Sequence, residues 1–316
     1  MPNYAVIDVG SNSIRLVVYS VPNDRRATYA RSDFSSIAND KVMAGLAAYV
    51  SPDGTFTQAG VKKASSTIKA HLKHASYFKC KRVSVFATAV LRNAANSAEV
   101  IGAIEENANC TIDLISGKDE ALLGFAGASS ERMLKDGVAV DIGGGSTELT
   151  LIKDGSAVQC ESIPQGSLSS YANHVKGVLP TGGEIADICR TFDINLNSNI
   201  NPAEYLTDTL YGIGGSVRAT AKMLAMQTED RVRPKTFGRS DVNRILNLCV
   251  NDPSSYAHQA LTAAPERVHT LTPGCAILSE VMRQTKGESI RVCKCGIREG
   301  YLITRMLEAQ VRAVES

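Results

Sequence analysis

Asp8 is followed by Val9-Gly10-Ser11-Asn12-Ser13, and Asp141 by Ile142-Gly143-Gly144-Gly145-Ser146-Thr147. In both segments an apolar run ends in an acid and turns through glycine, hydroxyl and amide residues. Such a turn bends without steric penalty and presents backbone N–H groups in a concavity that suits an anion. Three successive glycines cost about 1 kcal/mol each in backbone entropy relative to alanine. The spacing therefore predicts that something approaches the second loop closely, and a chain of phosphates held between two such loops is the expected ligand. A third turn, Gly212-Ile213-Gly214-Gly215-Ser216, precedes a helix pattern whose N-terminus would take a further anionic group. Asp8, Asp141 and Glu148 remain for a hard cation, with Mg²⁺ or another divalent ion expected because it takes oxygen ligands and keeps much of its water.

These loops need a sheet to hold them. Residues 5–8 and 14–19 read as a hairpin, as do the two ends of 137–152. Val61, Ala64, Ile68, Leu72 and Ala75 mark one face of a helix over 57–78, followed by a strand at 82–87, a helix start near 96, a strand at 111–115 and a helix after Ser116-Gly117. Further helices are expected near 185–190, 217–226, 241–250 and 273–284, with strands near 205–212 and 289–293. The last helix, 297 to about 309, is expected to cross back to the first half. Asp141 follows Asp8 by 133 positions, so the opening unit recurs at the length of a domain. Two related α/β domains flanking an interdomain cleft follow, the first over 1–124 and completed by about 298–316, the second over 125–297.

The chain has 316 residues, 44% of them hydrophobic and 21% charged, which excludes a disordered or fibrous protein. A net charge of +2 gives no global field for nucleic acid, and no apolar run reaches the roughly 18 residues of a membrane helix. Eight scattered cysteines without an obvious framework fit reduced thiols and a cytoplasmic protein. Cys293 and Cys295 would share one face if the strand continued through them. His71 and His74, with no third ligand in view, read as the solvated face of a lysine-rich helix.

Five segments in order carry a resemblance: 5–16, 87–96 (Ala-Thr-Ala-Val-Leu-Arg-Asn-Ala-Ala-Asn), 115–121 (Ile-Ser-Gly-Lys-Asp-Glu-Ala), 140–149 and 295–300 (Cys-Gly-Ile-Arg-Glu-Gly). Together they resemble the exopolyphosphatase and guanosine pentaphosphate phosphohydrolase family. The resemblance implies the duplicated actin-like ATPase (ribonuclease H-like) fold. It also implies hydrolysis of the terminal phosphoanhydride of inorganic polyphosphate or guanosine pentaphosphate. It makes Glu120 the general base on water and puts Arg92, Thr88, Asn12, Ser13, Ser146 and Thr147 on phosphate, with Arg267 near the substrate entrance. A homodimer is the expected assembly.

The sequence departs from the family in two places. Lys41 stands where relatives carry an arginine before Gly45-Leu46, which loses the bidentate fork. The chain also ends at Ser316, without the helical domain that extends the channel of longer relatives, so processive digestion of long polymers is not expected. The competing readings are a small-molecule kinase of the same superfamily and a non-catalytic sensor of guanosine tetra- or pentaphosphate.

Overall fold

The structure is a computed structural model that describes residues 1–23, 26 and 28–308. The chain divides into two compact units, residues 1–132 with 295–316, and residues 133–294.

In the first unit β1 (Asn3–Val9), β2 (Ile14–Ser20) and β3 (Ser35–Val42) form an antiparallel meander, and α1 (Gln58–Tyr77) leads to β4 (Arg82–Ala87), parallel to β1. The one-turn helix α2 (Ala89–Arg92), then α3 (Ser97–Ala108), β5 (Ile112–Leu114) and α4 (Gly117–Glu131) complete the run. The sheet order is β3-β2-β1-β4-β5. Strand β1 is buried on both faces, as its unbroken apolar sequence requires. Ala5, Ile7 and Val9 pack with Val61, Ile68, Val100 and Ile104 of the helices, and Tyr4 and Val6 pack with Leu302, Ile303 and Met306.

In the second unit β6 (Gly137–Ile142), β7 (Thr147–Lys153) and β8 (Ser156–Ile163) repeat the meander. Helices α5 (Ser167–His174) and α6 (Gly182–Asn199) precede β9 (Thr209–Ile213), after which come α7 (Gly214–Ala225), β10 (Thr236–Gly238), α8 (Arg239–Asn251), α9 (Pro253–Ala263), α10 (Val268–Gln284) and β11 (Ser289–Val292). The sheet order β10-β11-β9-β6-β7-β8 contains the first sheet's order with one strand added at the edge. The duplication suggested by the two aspartates is thus a duplication of topology, and the fold is the duplicated actin-like ATPase fold.

The chain then returns to the first unit as α11 (Ile297–Tyr301) and a π-helical stretch, Leu302–Leu307. The expected end of that helix at 309 lies outside the described residues. Two glycines let α11 approach α4: a Cβ on Gly127 would stand 1.9 Å from the Gly296 carbonyl oxygen, and one on Gly300 would stand 1.8 Å from that of Leu123. Tyr301 stacks on Phe86 with ring centroids 4.8 Å apart.

Several elements differ from expectation. Residues 202–205 form a 3₁₀ turn ahead of β9, so that strand begins only at Thr209. Helix α10 begins at Val268 and carries Pro273 inside it, because its buried face already starts at Thr270. Strand β11 ends at Val292, so strand alternation does not extend through Cys293 and Cys295.

Candidate functional site

The first loop hangs between β1 and β2, where Gly10 N–H donates to Ser13 O at 3.1 Å. The Gly45–Ala47 segment fixes its shape, since Gly45 N–H donates to Asn12 O and Ala47 N–H to Ser11 O, both at 2.9 Å. Gly45 makes this possible at φ +60°, a left-handed conformation that glycine adopts without strain. Thr88 lies just beyond β4, its N–H on Val9 O at 3.3 Å, and so flanks the same strand end.

Asp8 is the last side chain before that loop on its face of β1. Arg298 donates to it at 2.9 Å, the carboxylate is only 15% exposed, and Arg15 stands opposite it across the hairpin. Burial raises the Asp8 pKa, with the Arg298 and Arg15 charges pulling the other way. The structure therefore gives Asp8 an arginine partner and an arginine neighbour.

Glu120 sits in the first turn of α4. Ser116 caps that helix, accepting from Asp119 N–H at 3.1 Å and donating to its carboxylate at 2.8 Å, while Glu120 N–H donates to Ser116 O at 2.8 Å. The Arg92 guanidinium reaches from the end of α2 to Glu120 Oε2 at 2.8 Å and to Ile115 O at 2.9 Å, and its Nε–H points to Asn93 Oδ1 at 3.3 Å. The pair is partly buried, at 17% and 14% exposure. Arg92, expected to grip phosphate with its fork, pairs with Glu120 through one terminal nitrogen.

In the second unit Asp141 and Glu148 are directly opposite each other across the β6–β7 hairpin, which sets both carboxylates on one face of the sheet. Glu148 is buried and accepts from Ser162 Oγ at 2.8 Å, and Ser162 stands opposite it on β8. Asp141 Oδ1 nestles against Gly214, where a Cβ would be only 2.0 Å away and where φ is +82°. Arg267 covers the next residue in the same way, with a Cβ on Gly215 falling 2.0 Å from its terminal nitrogen. Asp141 and Arg267 thus meet at the N-terminus of α7, over two glycines that leave room for them.

Two adjacent carboxylates, one of them buried, carry a charge that a divalent cation would offset, and all their donor atoms are oxygen. Gly214 leaves room beside it for the Asp141 carboxylate. The residues fit a hard divalent ion.

The glycine loop itself differs from expectation. What approaches Gly144 and Gly145 is protein: a Cβ on Gly166 would lie 2.6 Å from the Gly144 carbonyl, and the first N–H groups of α5 donate to Gly143 O and Gly144 O at 2.9 Å. Thr147 and Ser216, both buried, spend their hydroxyl protons on Gln165 O at 2.7 Å and Ile142 O at 2.8 Å. Those two hydroxyls hold the loops together. Ser146 is buried too, and its carbonyl closes the turn on Gly143 N–H at 2.9 Å.

The sequence profile of the Ppx/GppA phosphatase family matches residues 25–309. The chain belongs to this family. Among its relatives, exopolyphosphatase 1 of Mycobacterium tuberculosis is 23% identical over 316 residues, covering 96% of this chain and 88% of that protein. The guanosine-5'-triphosphate,3'-diphosphate pyrophosphatase of Aeromonas salmonicida is 26% identical over 306 residues, covering 95% of this chain but 59% of the relative's length. A crystal structure of an exopolyphosphatase from Cytophaga hutchinsonii superposes with a TM-score of 0.82 at 20% identity, covering 97% of this chain and 98% of that one. The Aquifex aeolicus Ppx/GppA member superposes with a TM-score of 0.76 at 20% identity, over 100% and 99% of the two chains. Both share the fold.

Sequence reasoning missed Arg298 and Arg15 as site residues. The offset that pairs Asp8 with Asp141 also pairs Arg15 with Glu148, and was the available signal. Arg298 lies in the resemblance motif 295–300, but nothing in that motif announces its partner 290 residues away.

Proposed function

We propose that this member of the Ppx/GppA family removes the terminal phosphate from inorganic polyphosphate or guanosine pentaphosphate, with a divalent cation required. The observation that carries the proposal is Glu120, a partly buried carboxylate at the head of α4 paired with Arg92 at 2.8 Å. In the reaction a water oxygen attacks the terminal phosphorus, the bond from that phosphorus to the bridging oxygen breaks, and the electron pair leaves with the shortened chain. Glu120 orients the water and accepts its proton, while Arg92 holds Glu120.

Ser11 to Ser13, Gly144 to Ser146, Gly214, Gly215 and Arg267 are assigned to the phosphates through backbone N–H groups and the guanidinium, while Gly10, Gly143 and Thr88, whose N–H groups donate to Ser13 O, Ser146 O and Val9 O, shape the loops. Asp141 and Glu148 are assigned to Mg²⁺ or a related ion. Asp8, whose carboxylate already answers Arg298, is assigned to positioning that arginine. A bound divalent ion supplies charge neutralisation on the phosphoryl oxygens. Action in the cytoplasm is assigned because the eight cysteines, none in a disulfide, fit reduced thiols; no helix among the described residues is long and apolar enough to cross a membrane.

The test is phosphate release from polyphosphate, guanosine pentaphosphate and ATP measured in parallel with no second substrate. Release of inorganic phosphate from either of the first two supports the proposal. Turnover only when a small acceptor is added and becomes phosphorylated would make the protein a kinase, and binding without turnover would make it a sensor.

A further inference from the structure

In the first unit α1 lies against the meander, and His71 and His74 project from it one turn apart. Asp40, on the edge strand β3, comes up beside them. His74 Nδ1 is 2.9 Å from Asp40 Oδ2, His71 Nδ1 is 3.5 Å from the same oxygen, and the ligand atoms of all three lie within 4.8 Å of one another. The third ligand that the sequence did not reveal is present, and His71 is buried, 1% exposed, so the expectation of a solvated histidine face does not hold. Periodicity along α1 shows its own faces but not which strand residue crosses to it.

We infer that Asp40, His71 and His74 form a binding site for one transition-metal cation of the zinc class. His71 carries the argument. Its Nε2 is 3.3 Å from the Ile14 carbonyl, which can only accept, so that nitrogen bears the proton. In the neutral ring Nδ1 then presents a lone pair. That atom is buried, has no hydrogen-bond partner, and faces a carboxylate oxygen. A lone pair opposed to a carboxylate repels it unless a cation lies between them. A backbone carbonyl holding the far N–H of a ring is also the usual support of a metal-bound histidine.

The geometry suits a small ion. Tetrahedral zinc with bonds near 2.0–2.1 Å separates its ligand atoms by roughly 3.3–3.4 Å, and the two His–Asp separations, 3.5 and 2.9 Å, bracket that value. Two imidazoles and one carboxylate select zinc, cobalt or nickel over magnesium and calcium, which prefer all-oxygen sets. Three protein ligands leave a fourth position for water. His74 and Asp40, 54% and 42% exposed, give the ion its way in. His71 also bonds Ile14, the first residue of β2 after the Gly10–Ser13 loop, so the site is joined to that loop's far end. The site belongs to the first unit and the Asp141–Glu148 pair to the second, and it does not depend on the hydrolytic reading.

The experiment uses the full chain, stripped with a chelator and titrated with Zn²⁺ and with Co²⁺ as a spectroscopic probe. One equivalent should bind in the presence of millimolar Mg²⁺, with visible Co²⁺ absorption of low-coordinate intensity and a raised Tm. Asp40→Asn and His74→Ala, both at exposed side chains, should each weaken binding by at least about tenfold and lose the Co²⁺ spectrum, while Asp141→Asn and the double variant Cys293→Ser with Cys295→Ser should leave both intact. Binding indifferent to Asp40→Asn and His74→Ala would overturn the site. So would a stripped protein that takes up no Zn²⁺ and whose His71 ring proves doubly protonated by NMR, which would make the cluster a plain ion pair.

Discussion

Arg15 holds in the first unit the register position that Glu148 holds in the second. Each stands opposite the aspartate that ends the first strand of its sheet, Asp8 in one case and Asp141 in the other. One strand further out, Lys41 stands opposite Arg15 and Ser162 opposite Glu148. The row across the first sheet is therefore mainly basic and the row across the second mainly acidic, so duplicated topology has been divided by charge. Lys41 adds a second positive charge to this row.

That division predicts opposite defects. Glu148→Gln and Asp141→Asn should raise the Mg²⁺ concentration needed for half-maximal rate by at least about tenfold. Arg15→Gln should leave that concentration unchanged, raise KM for a polyanionic substrate and flatten its dependence on salt. Steady-state rates over a Mg²⁺ series and a salt series for the three variants check this.

Arg92 touches Ile115 O and Glu120 with one nitrogen. Arg92→Ala should lower kcat by about 100-fold by freeing a carboxylate whose aim matters at the ångström scale. Arg92→Lys keeps the charge and should recover part of that loss. Parallel thermal denaturation separates a misaimed Glu120 from a misfolded protein, since Tm should move far less than kcat.

Gly214→Ala meets two obstacles, a left-handed φ of +82° and a Cβ 2.0 Å from Asp141 Oδ1. The conformational term alone costs about 1–2 kcal/mol, and displacement of Asp141 should add a loss of Mg²⁺ dependence. Gly127→Ala and Gly300→Ala collide with backbone oxygens and should destabilise by roughly 1–3 kcal/mol without touching Mg²⁺ dependence. Urea denaturation and Mg²⁺ titration distinguish the two outcomes.

Burial, and then the charge of Arg267, hold the His269 pKa below its ordinary value of 6.5. The folded state thus binds fewer protons than the unfolded state just below that value. Stability from this source is complete above pH 6.5 and is lost as pH falls through the unfolded pKa toward the folded one. Denaturation midpoints of wild type and His269→Gln over this range should diverge, with the variant losing less on acidification.

The central strands were legible because burial on both faces writes them as unbroken apolar runs, as in β1 and β6. Strands β3 and β8 escaped detection because they are sheet edges. Ser35–Val42 includes Ser, Asn, Asp and Lys and buries no residue fully, so it shows neither an apolar run nor clean alternation. Helix α4 was legible from the Ser116 cap, a signal local in sequence, whereas Glu120 was singled out only through the resemblance of residues 115–121. Partners set by tertiary folding were not: Arg298 on Asp8, Asp40 beside His71, and Gly166 against Gly144 each join residues far apart in the chain. The carbonyls that the Thr147 and Ser216 hydroxyls face were not legible for a related reason, since composition marks a hydroxyl near a glycine loop but not its partner.

In the proposed reaction Glu120 is the group that activates water. Phosphate release from polyphosphate under single-turnover conditions, with substrate affinity measured in the same samples, tests it for Glu120→Gln. The predicted result is a rate lowered by about 10²–10⁴ with affinity unchanged. A rate within a few-fold of wild type would contradict it.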